Sequence, residues 1–302
     1  MTTENIIYGI PERKPSAVLT IWNALWPPLA YFIIQIVVAI VATINVSITE
    51  SIKNDTLDAD GLNKVVNRII ASNQILLMGI SMLIGLALFV PFFLRFHKGD
   101  KERFTMVSPV NILLIFLLTG AAYFAIGMIV SLLPQNFGGY DEAIAYLNTG
   151  SFWLKMLVIG IGAPLVEEFC VRGLCQNRLM RIAPPAVAIF LQAALFGVMH
   201  WNLVQSSYAF LLGLLLGWVY YRARTILAPI LLHFFFNAGN LGLSELLKNA
   251  NTETAEQAVT SASDMFVSTV IILVFVLATC AGLISLLNKT FPKKTVPGIS
   301  EQ

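Results

Sequence analysis

Residues 151–173 read SFWLKMLVIGIGAPLVEEFCVRG. After Lys155 the stretch is apolar as far as Val166, then meets Glu167, Glu168 and Arg172. The composition says what medium surrounds it. Of the 302 residues, 57% are hydrophobic and 12% are charged, and mean hydropathy is +0.77. Soluble domains carry roughly 25% charged residues, and a chain this long needs them to cover its surface. A soluble globular class is therefore excluded before any motif is read. The formal charge of +2 says little, because membrane orientation follows the placement of Lys and Arg and not their sum. Cys170, Cys175 and Cys280 form no Cys-x-x-Cys pair and sit in apolar segments, so they read as packing residues. The first twenty residues lack the cationic-then-apolar-then-small order of a cleaved signal peptide, so the first apolar segment is expected to be retained.

A helix needs about 20 apolar residues to cross a bilayer core. Spans are expected at Trp22 to Val46, with Pro27 and Pro28 near the start, at Gln74 to Leu94, and at Val110 to Leu133. The fourth begins near Ser151 and ends irregularly at its charges. Arg181 to Arg222 enclose forty uncharged residues, which predicts two helices turning near Trp201 to Ser206. The last two run from Thr225 to Ser244 and from Met265 to Leu287. The fold class expected is an all-α integral membrane protein of about eight spans. It forms one polytopic domain, 1–302, with a core at 151–244 on spans 4 to 7.

Charge placement orients it. With the N-terminus in the cytoplasm, that side holds Arg13, Lys14, Arg95, Lys98, Lys101, Arg103, Arg178, Arg181, Arg222, Arg224, Lys289, Lys293 and Lys294. The opposite side holds Lys53, Lys64, Arg68 and Lys248, so the bias is thirteen to four. Both termini are then cytoplasmic. His97 reads as a solvated loop residue, and Lys155 as snorkelling from the outer end of its span.

Glu167, Glu168, Arg172, His200 and His233 all fall within apolar helices. Glu168 and Arg172 are four apart, acid first, the favourable order for a pair on one helix. Glu167 projects about 100° away and stays free to face a cavity. His233 and Asn237 share a helix face, as do Phe196 and His200. A carboxylate near a histidine can take a proton from water. An amide such as Asn237 can donate to a developing oxyanion. No serine or cysteine sits in a nucleophile motif, so water is the expected attacking group.

Glu167-Glu168-Phe169-Cys170-Val171-Arg172-Gly173 resembles the EExxxR motif of the CPBP family, which comprises type II CAAX prenyl endopeptidases and bacteriocin-processing (Abi) proteins. Phe196-Gly197-Val198-Met199-His200 resembles its FxxxH motif, and His233-Phe234-Phe235-Phe236-Asn237 its HxxxN motif. Val171 departs from the pattern, where an aromatic residue is common, without removing a proposed catalytic group. The resemblance covers roughly Val158 to Asn240. It implies that Glu167 activates water, that His200 holds it, and that His233 and Asn237 stabilise the oxyanion. Glu168, Arg172 and Phe196 would support the site. It also implies two competing chemistries. Glu167, His200 and His233 could hold zinc with an open position. The metal-free glutamate-and-histidine mechanism is preferred, since no His-Glu-x-x-His occurs and the ligands would come from three helices.

Plainer readings stand beside these. Glu168–Arg172 can be a structural pair, and Asn237 interhelical glue. Gly213 and Gly217 read as helix packing. A proton-coupled transporter also uses intramembrane Glu and His, but no inverted repeat accompanies them. A catalytically silent scaffold of the same fold is the third alternative. Expected partners are the bilayer and a peptide or protein substrate, prenylated, leader-bearing or membrane-anchored, with no nucleic acid. Depth counting puts Glu167 about 24 Å from Ser151 and His233 about 12 Å from Thr225, the cytoplasmic half, so the site is expected to open to the cytoplasm. His200, about 22 Å beyond Pro185, fits this less well.

Overall fold

The computed structural model describes residues 16–54, 58–98, 100–131, 150–200, 202–249 and 262–291, and among these every regular element is helical. In chain order the helices are α1 (Ala17–Lys53), α2 (Ala59–Ser72), α3 (Gln74–Phe96) and α4 (Pro109–Ser131). Then come α5 (residues 152–179), α6 (Pro185–Val198), α7 (Leu203–Ala223), α8 (Leu227–Asn249) and α9 (Ala262–Thr290). The expected turn residue Trp201, and the acidic loop residues Asp141, Glu142, Glu253 and Glu256, lie outside the described residues.

Among the described residues, six helices are long and apolar enough to cross a membrane: α1, α3, α4, α7, α8 as far as Leu246, and α9 from Thr269. The chain is an all-α integral membrane protein. Spans four and five of the sequence reading take other forms. α5 is continuous but alternately wound, with π-helical turns at Met156–Gly162 and Glu168–Gln176 around an α-helical Ala163–Glu167. α6 has 14 residues, roughly 21 Å of helix, short of a core about 30 Å thick. α1 starts earlier than expected, so Pro27 and Pro28 are buried inside a 37-residue helix. α2 lies between the expected spans, where the sequence reading placed no helix. Its signal was present in Asp58, whose carboxylate caps the helix by accepting from Gly61 N at 2.8 Å, and in the helical spacing of Leu62, Val66 and Ile69.

α6 and α7 pack as a hairpin, α4 lies between α8 and α9, and α1 covers α3 and the second π-turn of α5. Phe89, Phe93, Ile115, Leu118, Val166, Val171, Leu174, Leu216 and Val219 are fully buried where these helices meet. α1 and α9 carry their isoleucines, valines and Phe275 on the outside, as lipid-facing helices do. In lipid the hydrophobic effect does not pull helices together, so close backbone approach and interhelical hydrogen bonds must. Gly213 and Gly217 provide the approach. A Cβ on Gly213 would lie 3.1 Å from the Ala193 Cα and 3.3 Å from the Phe196 ring. With no side chain there, the α7 carbonyls lie open. Gly213 O accepts from Gln192 Nε2 at 2.8 Å, and Gly217 O accepts from Gln176 Nε2 at 2.9 Å.

Two residues depart from the sequence reading. Lys155 does not snorkel, because its residue is only 4% exposed, packed inside the bundle. His97 is not solvated. It is 8% exposed, its Nδ1 donates to Phe93 O at 3.1 Å, and its Nε2 accepts from Asn177 Nδ2 at 3.0 Å. Asn177 also donates to the Tyr220 hydroxyl, which accepts from Arg103 Nη1 at 3.1 Å. The loop folds under the bundle because Arg103 O accepts from Ile226 N at 3.0 Å, joining it to the start of α8.

Two outcomes follow from this packing. Gly213→Ala should destabilise by ~1–3 kcal/mol through overpacking. Gly239→Ala on α8, where a Cβ meets nothing within 4 Å, should be neutral or stabilising. Thermal unfolding in detergent compares the two. Burial, and then the Arg103 charge, lower the His97 pKa to about 4, against an ordinary value near 6.5. A depressed histidine pKa means that the unfolded chain takes up the proton first. Stability is whole above pH ~6.5 and declines as pH falls towards ~4. The thermal midpoint should follow that slope, and His97→Gln should flatten it.

Candidate active site

The site grows from the second π-turn of α5. Helical spacing predicted that Glu168 and Arg172 would meet, and Arg172 Nη1 donates to Glu168 Oε1 at 2.9 Å, with both side chains fully buried. The guanidinium lies 4.5 Å from the centre of the Phe196 ring, and its Nη2 donates to Gly213 O at 3.3 Å. Phe196 is thus a lid on the cation, a cation–π contact in desolvated surroundings. π-Turns inside α-helices are rare and concentrate at functional sites. This one begins at the second glutamate of the pair.

Glu168 has a second partner that spacing could not reveal. His233 Nδ1 on α8 donates to the same Oε1 at 2.8 Å. A carboxylate can only accept, so Nδ1 carries a proton and the ring is held by it. His233 Nε2 then points towards Glu167, 3.8 Å from its Oε2. The Glu167 side chain is 15% exposed where Glu168 shows nothing, so the adjacent carboxylates have separate surroundings. His200 ends the α6 hairpin arm, and its Nδ1 donates to Phe196 O at 2.8 Å, leaving Nε2 as the acceptor nitrogen. Both histidine rings stand edge-on to Phe196. Asn237 Nδ2 donates to Ile159 O on the first π-turn at 2.9 Å, which engages one of its two amide hydrogens.

Glu167, His200, His233, Asn237 and Phe196 all line one cavity of about 1290 Å³. The cavity extends to one side of Glu167. From the level of Glu167 its lining runs along α3 back to Gln74, along α4 on to Ser131 and along α8 on to Ser244. All three lead away from the Arg95, Arg178 and Arg222 ends. Towards those ends Phe93, Leu174, Val219 and Tyr220 are fully buried. Counting residues along a helix addresses depth alone, and not which side of a site is filled.

Zinc was a reading left open for Glu167, His200 and His233. Among the described residues no group of three or more His, Cys, Asp or Glu side chains is gathered so as to hold a metal ion. With Nδ1 held by Glu168, His233 has only Nε2 to offer any ligand.

Sequence reading passed over several polar residues that shape the site. Gln176 and Gln192 are fully buried and tie α5 and α6 to the α7 carbonyls. Tyr123 donates to Asn240 Oδ1 at 3.1 Å beside the cavity. Their signal was an amide or hydroxyl within an apolar helix, the uncharged form of the rule that drew attention to the glutamates.

The different surroundings of the two glutamates should separate in stability. Glu168→Gln leaves the buried Arg172 charge without its counter-ion and should cost ~3–5 kcal/mol. Glu167→Gln removes a partly exposed acid and should leave the unfolding midpoint close to the parent's. Unfolding of the two purified variants in detergent measures the difference.

Comparison with curated proteins and with solved structures gave no match. Residues 148–239 do match a family model, that of the type II CAAX prenyl endopeptidase Rce1-like proteins. The matched segment contains Glu167, Phe196, His200, His233 and Asn237, which line the cavity, and the buried pair Glu168 and Arg172. Over this segment, about a third of the chain, the protein is similar to the type II CAAX prenyl endopeptidase Rce1-like family.

Proposed function

We propose that this protein is an intramembrane endopeptidase that cleaves with water activated by Glu167 and His200. One observation carries the reading: Glu167 is the one acid among the described residues lining the cavity, and it shares that lining with two histidines whose protons are already directed. The family is one of proteases, which supplies the reaction class.

The steps follow from the atoms. His200 Nε2, its other nitrogen held by Phe196 O, accepts a hydrogen bond from the attacking water and aims it. Glu167 takes the second proton as the water oxygen bonds to the scissile carbonyl carbon. The carbonyl oxygen becomes an oxyanion. When protonated, His233 Nε2 donates to it, and Glu168 at Nδ1 favours the imidazolium that forms. The second amide hydrogen of Asn237 is the other donor. Glu167 then returns its proton to the leaving nitrogen as the C–N bond breaks. Glu168, Arg172 and Phe196 position His233 without touching substrate.

The membrane arrangement proposed with this chemistry has eight crossings, α5 and α6 supplying the two beyond the long apolar helices, and both termini in the cytoplasm. The Lys and Arg bias supports it.

Purified protein in liposomes, assayed on a fluorogenic peptide that the parent cleaves, tests the mechanism. Glu167→Gln should lower kcat by ~10²–10⁴-fold, and Asn237→Ala by ~10²–10³-fold. A strong chelator should leave parent activity unchanged. Full activity in Glu167→Gln, or loss under chelator with recovery on added zinc, would refute the mechanism.

A further inference from the structure

The cavity has a direction, and the charges have a direction. On α3, α4 and α8, the lining residues lie on one side of the Glu167 level. That side ends in Asn67, Gln74, Ser131 and Ser244. The other side is filled by buried Phe93, Leu174, Val219 and Tyr220 and sealed by the Glu168–Arg172 pair. Of the fifteen Lys and Arg in the described residues, nine stand at the filled end and four at the open end. The open end also carries Glu50, Asp58, Asp60 and Glu245. Cationic loops stay in the cytoplasm, because translocating them is disfavoured.

From these two directions we infer that the cavity mouth faces away from the cytoplasm. We infer with it that the substrate is a polypeptide presented from the outer side: a translocated or membrane-anchored chain whose scissile bond lies in the outer half of the bilayer. The inference rests on the endopeptidase reading for its substrate half, and on packing and charge alone for its orientation half. The lining suits such a guest. Gln35, Asn67, Gln74, Ser131, Asn240 and Ser244 line the way from the mouth towards Glu167. Inside a bilayer an extended peptide must replace the hydrogen bonds its amides made to water, and amide and hydroxyl side chains can do so. An apolar lipid tail has no such need. A peptide arriving from the cytoplasm would meet the filled end and would have to displace a fully buried ion pair to reach Glu167.

The test has two arms on the full chain in cells. In the first, Ser244→Cys and, separately, Asn67→Cys are made together with Cys280→Ser, and intact cells are treated with a membrane-impermeant maleimide. Cys170 and Cys175 are buried and stay in place. Lys98→Cys, at the filled end, is the comparison. Ser244→Cys and Asn67→Cys should label in intact cells, and Lys98→Cys only after permeabilisation. In the second arm, one pool of randomised peptide tails is fused to a single-span anchor that places it outside, and to another that places it inside. Each pool is expressed with the parent or with Glu167→Gln, and cleavage is read by mass spectrometry. The outside pool should be cut by the parent alone. Labelling of Lys98→Cys from outside, with Ser244→Cys and Asn67→Cys protected, overturns the orientation. Outward labelling with cleavage of the inside pool overturns the substrate assignment. Outward labelling with neither pool cut defeats the endopeptidase reading, and the substrate assignment with it, while the mouth's orientation stands.

Discussion

A wholly buried ion pair, Glu168–Arg172, is the constraint around which this bundle is arranged. Taking two charges out of water costs several kcal/mol each, and their attraction offsets that only when further partners complete the shell. Here partners come from three other helices, and only Glu168 Oε2 and Arg172 Nε of the pair find none among the described residues. Phe196 on α6 covers the guanidinium, Gly213 on α7 accepts from it, and His233 on α8 donates to the carboxylate. One desolvated pair thereby fixes four helices around a common point. The same carboxylate that neutralises Arg172 orients the histidine facing the cavity, so fold and site share an atom, Glu168 Oε1.

This explains why the glycines of α7 matter more than their size suggests. In lipid the helices gain little from meeting apolar face to apolar face, and interhelical hydrogen bonds carry more of the specificity. The α7 backbone is usable as an acceptor because Gly213 and Gly217 leave it uncovered. Gln192 and Gln176 use it from two sides. Elsewhere α1 and α9 present branched apolar side chains to the surroundings. Order is concentrated at the polar centre, and the periphery is comparatively plain.

What could be read in advance was what repeats at helical spacing. The Glu168–Arg172 pairing, the shared faces of Phe196 with His200 and of His233 with Asn237, and the apolar lengths of α3, α4 and α8 follow from 3.6 residues per turn. What could not be read depends on contacts between distant segments. His97 looked like a loop residue until Asn177 and Phe93 enclosed it. Glu168 looked fully occupied by Arg172 until α8 brought His233 against it. The π-turns of α5 leave no periodic mark, and the direction of the cavity depends on which interhelical gaps are filled. α2 was a plainer oversight, since Asp58 and the apolar spacing after it were visible.

The short α6 has a consequence for the surrounding lipid. Its 14 residues end at Val198, which is 68% exposed, and the chain turns back into α7 at Leu203, which is 48% exposed. A helix of roughly 21 Å beside a core of about 30 Å leaves an apolar hairpin tip below the level of its neighbours. Acyl chains there must bend inward or shorten to cover it, at a cost of fractions of a kcal/mol per Å of mismatch. Mismatch of this kind thins a bilayer locally, and here it would do so beside the end of α6 next to His200. Acyl chain length thereby becomes a physical variable of the protein.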